Sequence, residues 1–102
     1  MRMIVMYDLP TNSKTDVKIA QQFHHFLLNQ GYIMIQFSIY MKLCQNYDSV
    51  KIQVKKLKQT LPPHGNVRLL TITEKQYQSM EILIGEPSMA EQYAKIDFII
   101  EL

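Results

Sequence analysis

The succession of hydrophobic patterns in the first half of the chain limits its fold most strongly. Residues 2–7 form an apolar run with little alternation, which is typical of a central strand covered on both faces. Apolar residues then recur at helical spacing until Gly31, which suits the left-handed end of a helix. The β-branched and aromatic segment 32–43 predicts either one bent strand or two short strands broken near residues 36–38.

The second half of the chain continues the alternation of helix and strand. A second amphipathic helix is predicted from near Asp48 until Pro62 ends it, and residues 67–73 predict a strand. Further strands are predicted at residues 80–84 and 96–100. This order is that of an α+β, ferredoxin-like βαββαβ sandwich, in which two helices cover an antiparallel sheet. The additional C-terminal strands must pair with a sheet edge or with another subunit.

The length of 102 residues allows one domain with a modest core. We divide it into a ferredoxin-like core domain at residues 1–78 and a C-terminal strand extension at residues 79–102, which would complete the sheet of a homodimer. Cys44 has no second cysteine to pair with inside the chain, which fits a reducing cytoplasm. Residues 1–7 are too short to span a membrane and lack a signal-peptide cleavage pattern, so we expect no membrane association.

Charge is distributed unevenly along the chain. Residues 1–73 carry nine Lys or Arg against three Asp, whereas residues 74–102 carry two Lys against six Asp or Glu. A basic body suggests a polyanionic partner. The acidic C-terminal stretch suggests either a role in solubility or a protein partner with basic grooves.

The second predicted helix carries a stripe of lysines. Lys51, Lys55 and Lys58 lie roughly opposite its apolar residues. Such a stripe is usually a solvated helix face, but no acidic residue between Ser49 and Thr73 can pair with these lysines. We therefore expect a surface that faces phosphates. An alternative set of basic residues surrounds the predicted strand ends: Arg2, Lys14, Lys18 and Lys42.

A single carboxylate ends the first predicted strand. Asp8 precedes Pro10 and suits a turn, yet it is also the only carboxylate among the first fifteen residues. One carboxylate is too few for most metal sites, but a two-fold dimer would bring Asp8 twice to its axis, where the pair could hold a hard divalent cation. Gln36, Ser38 and Tyr40 alternate, so they either present three hydrogen-bonding groups on one strand face or lie at a sheet or dimer edge.

Three stretches of the sequence resemble one known family. "YDLP" at residues 7–10, "QFSIY" at 36–40 and "GNVRLLTITEKQY" at 65–77 are similar to CRISPR-associated protein 2, the small subunit of the spacer-acquisition complex, and particularly to its type II version. The resemblance covers nearly the whole chain. It implies a ferredoxin-like fold and a symmetric homodimer whose C-terminal strands complete the neighbour's sheet. It also implies two partners, the CRISPR integrase subunit and duplex DNA.

The same resemblance implies an activity. Several family members are Mg²⁺-dependent endonucleases that use the aspartate matched here by Asp8, so Mg²⁺ or Mn²⁺ is the expected cofactor. Many members also carry an arginine two residues before the glutamine matched by Gln36, but this chain has Met34, which cannot contact phosphate. We therefore favour a DNA-binding scaffold that bridges integrase subunits, with metal-dependent cleavage as the family-implied activity. The alternative is a ferredoxin-like small-ligand sensor without a nucleic-acid role.

Overall fold

The computed structural model describes residues 1–93, which form a four-stranded antiparallel sheet covered by helices. The elements are β1 (Arg2–Asp8), α1 (Lys14–Asn29), β2 (Ile33–Gln36), β3 (Ile39–Leu43), α2 (Tyr47–Gln59), β4 (Asn66–Ile72) and α3 (Glu74–Gln78). The strand order is β2-β3-β1-β4. This arrangement confirms the predicted α+β, ferredoxin-like fold, with β1 as a central strand.

The core lies between one face of the sheet and the helices α1 and α2. Alternate residues of β1 point into it, because successive side chains of a strand lie on opposite faces. Met3 and Val5 are fully buried there. The helices contribute their apolar stripes: Phe23 and Leu27 from α1, and Val50 and Leu57 from α2. The predicted helical spacing of apolar residues is thus confirmed in both helices.

The ends of the two long helices follow from side-chain caps. Ser13 caps α1 by accepting a hydrogen bond from the backbone N–H of Asp16. Gly31, with a φ of +88°, follows the C-terminus of α1 as predicted. Asn46 caps α2 in the same way as Ser13 caps α1, and the Thr60 hydroxyl donates to the final carbonyl groups of α2 before the prolines are reached.

The segment 32–43 forms two strands and not one bent strand. Phe37 and Ser38 make the turn between β2 and β3, and Ser38 has a φ of +63°. Left-handed backbone is uncommon for a residue with a Cβ atom. The backbone N–H of Tyr7 in β1 donates to the Ser38 carbonyl over 3.0 Å, which fastens this turn to the central strand.

The short helix α3 fastens the far end of β4 to β1. Thr73 and Gln76 form a capping box at its start. Glu74 accepts two hydrogen bonds from the Arg2 guanidinium, each over 2.7 Å, and that guanidinium lies 3.8 Å from the centre of the Tyr77 ring. The hydrogen bonds from Arg2 hold the pKa of Glu74 below its usual range.

The chain after α3 differs from the sequence prediction. Residues 80–84 form no strand, because they find no pairing partner among residues 1–93, and an unpaired strand leaves its backbone groups unsatisfied. The segment that follows returns to the sheet, where the Ser88 hydroxyl donates to the Met34 carbonyl over 2.8 Å. The strand predicted at 96–100 lies outside the described residues. Within the described part, no helix is long and apolar enough to cross a membrane.

Candidate functional site

Asp8 ends β1 on the sheet face that points away from α1 and α2. It lies opposite Asn66 of β4 and is exposed. Gly65 allows the two strands to come close together at Asp8, since its φ is +96° and an added Cβ would lie 2.6 Å from the Asp8 carbonyl oxygen. Among residues 1–93, the Asp8 carboxylate has neither a hydrogen bond nor an ion pair. The backbone of Asp8 is therefore held firmly while its side chain is free to bind a ligand.

A depression of about 340 Å³ adjoins Asp8. It is lined by Met6, Tyr7, Asp8, Phe37, Ser38, Ile39, Asn66 and Arg68. Arg68 lies opposite Met6 in the β1–β4 pairing, on the same sheet face as Asp8. The only ion pair in the described part of the chain joins Arg2 to Glu74, so the Arg68 guanidinium is unpaired there. The depression thus brings together a free carboxylate and a free guanidinium.

Asp8 fits a hard cation only as one member of a larger ligand set. No group of three or more His, Cys, Asp or Glu side chains within residues 1–93 is arranged to hold a metal ion. Mg²⁺ in proteins is often bound by one or two carboxylates, with waters and substrate phosphates as the other ligands. One Asp8 could supply the first carboxylate, and a second copy of the chain would be needed for the other.

The predicted polar group on one strand face is not formed. The turn at Ser38 interrupts the alternation, so Gln36 is exposed whereas Tyr40 is 1% exposed and lies in the core. The Tyr40 hydroxyl is hydrogen-bonded to Nδ1 of His24, and its ring stacks on Tyr7. Burial raises the pKa of Tyr40 above its ordinary value. Of the three residues, Ser38 is the one that lines the Asp8 depression.

The lysine stripe predicted on the second helix is present on α2. Lys51, Lys55 and Lys58 are all exposed, and we call them the lysine face. Val50 and Leu57 lie on the buried side of the helix. Within residues 1–93 none of the three lysines forms an ion pair. The lysine face is therefore a concentration of unneutralised positive charge.

The alternative basic residues have different surroundings. The Lys42 ammonium donates to the Gln30 carbonyl over 2.6 Å at the end of α1, so it is already engaged within the fold. The Arg2 guanidinium is similarly engaged by Glu74. Lys14 and Lys18 are exposed on α1. Among Arg2, Lys14, Lys18 and Lys42, only Lys14 and Lys18 offer free positive charge comparable with that of the lysine face.

Arg68 and Phe37 line the Asp8 depression, and neither of them is assigned a site role from the sequence. Arg68 is counted only among the basic residues of the sequence, and Phe37 falls at the possible break near residues 36–38 of the segment 32–43. The pairing of residues 67–73 with residues 2–7 could have placed Arg68 near Asp8, since antiparallel partners two positions apart share a sheet face. The possible break near residues 36–38 allows Phe37 to lie in a turn, but nothing in the sequence indicates that its side chain is exposed.

Comparison with known proteins gives consistent matches. The family described as CRISPR associated protein Cas2 matches residues 1–80. A relative from Campylobacter jejuni is 48% identical over 83% of this chain, one from Acidovorax ebreus is 46% identical over 90%, and one from Streptococcus mutans is 42% identical over 97%. The matched region spans 59%, 90% and 93% of these relatives' own lengths, respectively. Each of the three is named CRISPR-associated endoribonuclease Cas2.

Proposed function

The chain belongs to the CRISPR associated protein Cas2 family, and on that basis we propose that it is a spacer-acquisition subunit that acts as a dimeric DNA-binding scaffold between CRISPR integrase subunits. The lysine face is the observation that carries this proposal. Membership of the family argues against the alternative of a small-ligand sensor.

The lysine face suits a duplex that is held by its backbone. Each lysine is a compact charge on a flexible stem, so it contacts phosphates without the geometric selectivity of a bidentate arginine. Phosphate contacts position a protein on DNA but carry no sequence information. A scaffold that must accept DNA of any sequence needs this kind of contact. The free lysines of α2 provide it on one continuous helix surface.

The test of the scaffold proposal is a titration of fluorescent DNA duplexes across a salt series. We expect duplexes of unrelated sequence to bind with nearly equal affinity, and log K to fall linearly with log salt, because each neutralised phosphate releases condensed counterions. Addition of the integrase subunit should produce a larger complex that contains all three components. Absence of duplex binding at low salt, or a strong preference for one sequence, would contradict the proposal.

The homodimer is supported by the sheet face opposite the helices. Met3 and Val5 point to the helices, so Ile4 and its partners Met41 and Leu70 lie on the other face. Ile4 and Met41 are buried within the single chain, whereas Leu70 on β4 is 51% exposed. The apolar surface of this face that remains open therefore lies on the β4 side, where a second surface could cover it. A second copy is the occupant that would also bring a second Asp8 to the site.

Light scattering should therefore give the mass of a dimer at micromolar protein. Removal of residues 96–102 should weaken the dimer, since the resemblance implies that the C-terminal strands complete the neighbour's sheet. A monomer with those residues present would contradict this prediction.

Cleavage of nucleic acid at Asp8 is a second candidate function. Its support is the free carboxylate in the depression together with the relatives' name, endoribonuclease. Asp8 from each of two chains would hold Mg²⁺ or Mn²⁺. When bound, such an ion polarises a phosphodiester and lowers the pKa of a bound water. The contribution of the chain itself is to hold the Asp8 backbone in place, through the pairing of Asp8 with Asn66 and the close approach at Gly65.

A further inference from the structure

A cavity of about 270 Å³ lies between the C-terminal end of β3 and the first half of α2, and we call it the Gln53 cavity. Its polar lining consists of Lys42, Gln45, Ser49 and Gln53. Lys42 pairs with the core residue Met3, so its side chain lies on the helix-covered side of the sheet. Leu43, which also lines the cavity, belongs to the other sheet face. The cavity shares no residue with the depression beside Asp8.

Gln53 is a polar side chain buried beside the apolar stripe of α2. It is 8% exposed, and it is the only buried polar or charged residue in the part of the chain that the structure describes. Its Oε1 accepts a hydrogen bond from the Tyr32 hydroxyl over 3.5 Å, whereas its Nε2 donates none within residues 1–93. No fully enclosed side-chain nitrogen or oxygen of these residues lacks a partner, so the Gln53 Nε2 opens toward the cavity. A buried amide donor left unpaired is unfavourable, and a ligand in the cavity would satisfy it.

Gln30 holds two ammonium groups beside the same part of α2. The Lys42 ammonium donates to the Gln30 backbone carbonyl over 2.6 Å, and the Lys56 ammonium donates to the Gln30 side-chain oxygen over 3.3 Å. Both acceptors are uncharged, so these bonds position the lysines without neutralising them, and each ammonium keeps two of its three donors. Lys56 follows Gln53 by three residues and lies on the same flank of α2. No carboxylate lines the Gln53 cavity, so the charge there is positive.

Ser49 adds a hydroxyl to this set of donors. Its Oγ forms no hydrogen bond among residues 1–93, although its backbone N–H is bonded to the Asn46 side chain. Ser49 precedes Gln53 by four residues, so the two side chains are neighbours on the helix surface. The cavity thus brings together an ammonium, an amide and a hydroxyl that can all donate hydrogen bonds. Such a set recognises a ligand that carries negative charge and several acceptor oxygens.

We propose that the Gln53 cavity binds a phosphate group, with Lys42 supplying charge and Ser49 and Gln53 supplying hydrogen bonds. Lysine is a frequent phosphate ligand, and it acts as a point charge. The volume of about 270 Å³ suits a phosphate or a small phosphate ester, since pockets for drug-sized ligands begin near about 300 Å³. The inference depends on neither the scaffold role nor cleavage at Asp8.

The Gln53 cavity is separate from the lysine face. Each residue of the lysine face lies two positions after one of Ser49, Gln53 and Lys56, which is a rotation of about 200° around the helix axis. The two sets of residues therefore occupy opposite flanks of α2. A duplex on the lysine face would leave the cavity open.

The test is a titration of the full-length protein with sodium phosphate at neutral pH and constant ionic strength, followed by NMR. We expect saturable shifts of the Gln53 side-chain NH₂ signals. Ser49→Ala should weaken phosphate binding about fivefold, as for the loss of one neutral hydrogen bond, and Lys42→Gln about tenfold or more, since its contact is charged. Lys75→Gln, an exposed lysine of α3, is the matched control and should leave the affinity unchanged.

A second arm identifies the source of the phosphate group. Tighter binding of uridine 5′-monophosphate than of inorganic phosphate would assign the cavity to a nucleotide end, and equal or weaker binding would assign it to free phosphate. Duplex DNA binding should be the same in the wild type and in Ser49→Ala, because the lysine face is untouched.

Four results would overturn the phosphate site. They are the absence of saturable shifts at Gln53, the same shifts with sodium chloride in place of phosphate, an unchanged phosphate affinity in folded Ser49→Ala, and an equal loss of duplex binding in that variant. Lys42→Gln also loses the bond to Gln30, so its fold must be checked by circular dichroism. Ser49→Ala keeps the test decisive, because the Ser49 hydroxyl has no hydrogen bond within the described residues to lose.

Discussion

Asp8→Asn should abolish metal-dependent cleavage of nucleic acid while the protein stays folded. A bound metal contributes several kcal/mol to stabilising the transition state of hydrolysis, so loss of a ligating carboxylate should lower the rate by at least about a hundredfold. The amide introduced by this substitution would retain one neutral oxygen but no charge. The measurement is cleavage of labelled RNA and DNA in Mg²⁺, Mn²⁺ and EDTA. Asp48→Asn is the matched control, since Asp48 is an exposed carboxylate on α2.

The stability of the Asp8→Asn dimer should be unchanged or higher. If two Asp8 carboxylates face each other across the dimer axis, their repulsion opposes association at neutral pH in the absence of metal, and the substitution relieves it. Binding of duplex DNA and of the integrase subunit should persist, because the lysine face is untouched. Cleavage that survives in Asp8→Asn would place the reaction elsewhere in the protein. If the folded Asp8→Asn dimer loses both integration and cleavage, the reaction at Asp8 is required for spacer acquisition.

The second large effect concerns the lysine face. Replacement of Lys51, Lys55 and Lys58 by glutamine should weaken duplex binding more than about tenfold at moderate salt and flatten the salt dependence. Each lysine on a phosphate contributes roughly 0.9 to the slope of log K against log salt, so three contacts account for up to about 2.7 per chain. The loss should be nearly equal for unrelated sequences. The fold should survive, because all three side chains are exposed.

Two control variants locate the path of the DNA. Lys75→Gln removes one exposed charge from the acidic half of the chain and should leave the slope unchanged. The double variant Lys14→Gln, Lys18→Gln tests the alternative surface on α1. An unchanged slope in the folded triple variant, with a lower slope in the double variant, would move the DNA from α2 to α1.

The periodic parts of the fold were predictable because hydrophobic spacing and caps are local. The apolar run of β1 indicated a central strand, and β1 does lie between β3 and β4. Ser13 and Gly31 marked the ends of α1 within one or two residues. These signals depend only on neighbours in sequence, so they can be recognised without knowledge of the tertiary structure.

The candidate site beside Asp8 was less predictable because its residues are brought together by the pairing of β1 with β4 and by the turn at Phe37 and Ser38. Ser38 carries no sequence mark of a left-handed residue, and the turn it makes puts Tyr40 in the core and not beside Gln36. Arg68 becomes a neighbour of Asp8 only through the register of β4 against β1. The helix α3 was not predicted, although Thr73 and Gln76 have the spacing of a capping box.

The position of β1 in the sheet has a consequence for biosynthesis. β1 leaves the ribosome before both strands that flank it, and the ion pair that fastens its start joins residues 72 positions apart. β1, whose residues Met3, Ile4 and Val5 are buried in the folded protein, must therefore remain unpaired on its β4 side until most of the chain has been translated. Such distant pairing slows folding. We expect the nascent chain to depend on chaperone protection of the segment 2–7 until β4 and α3 have emerged.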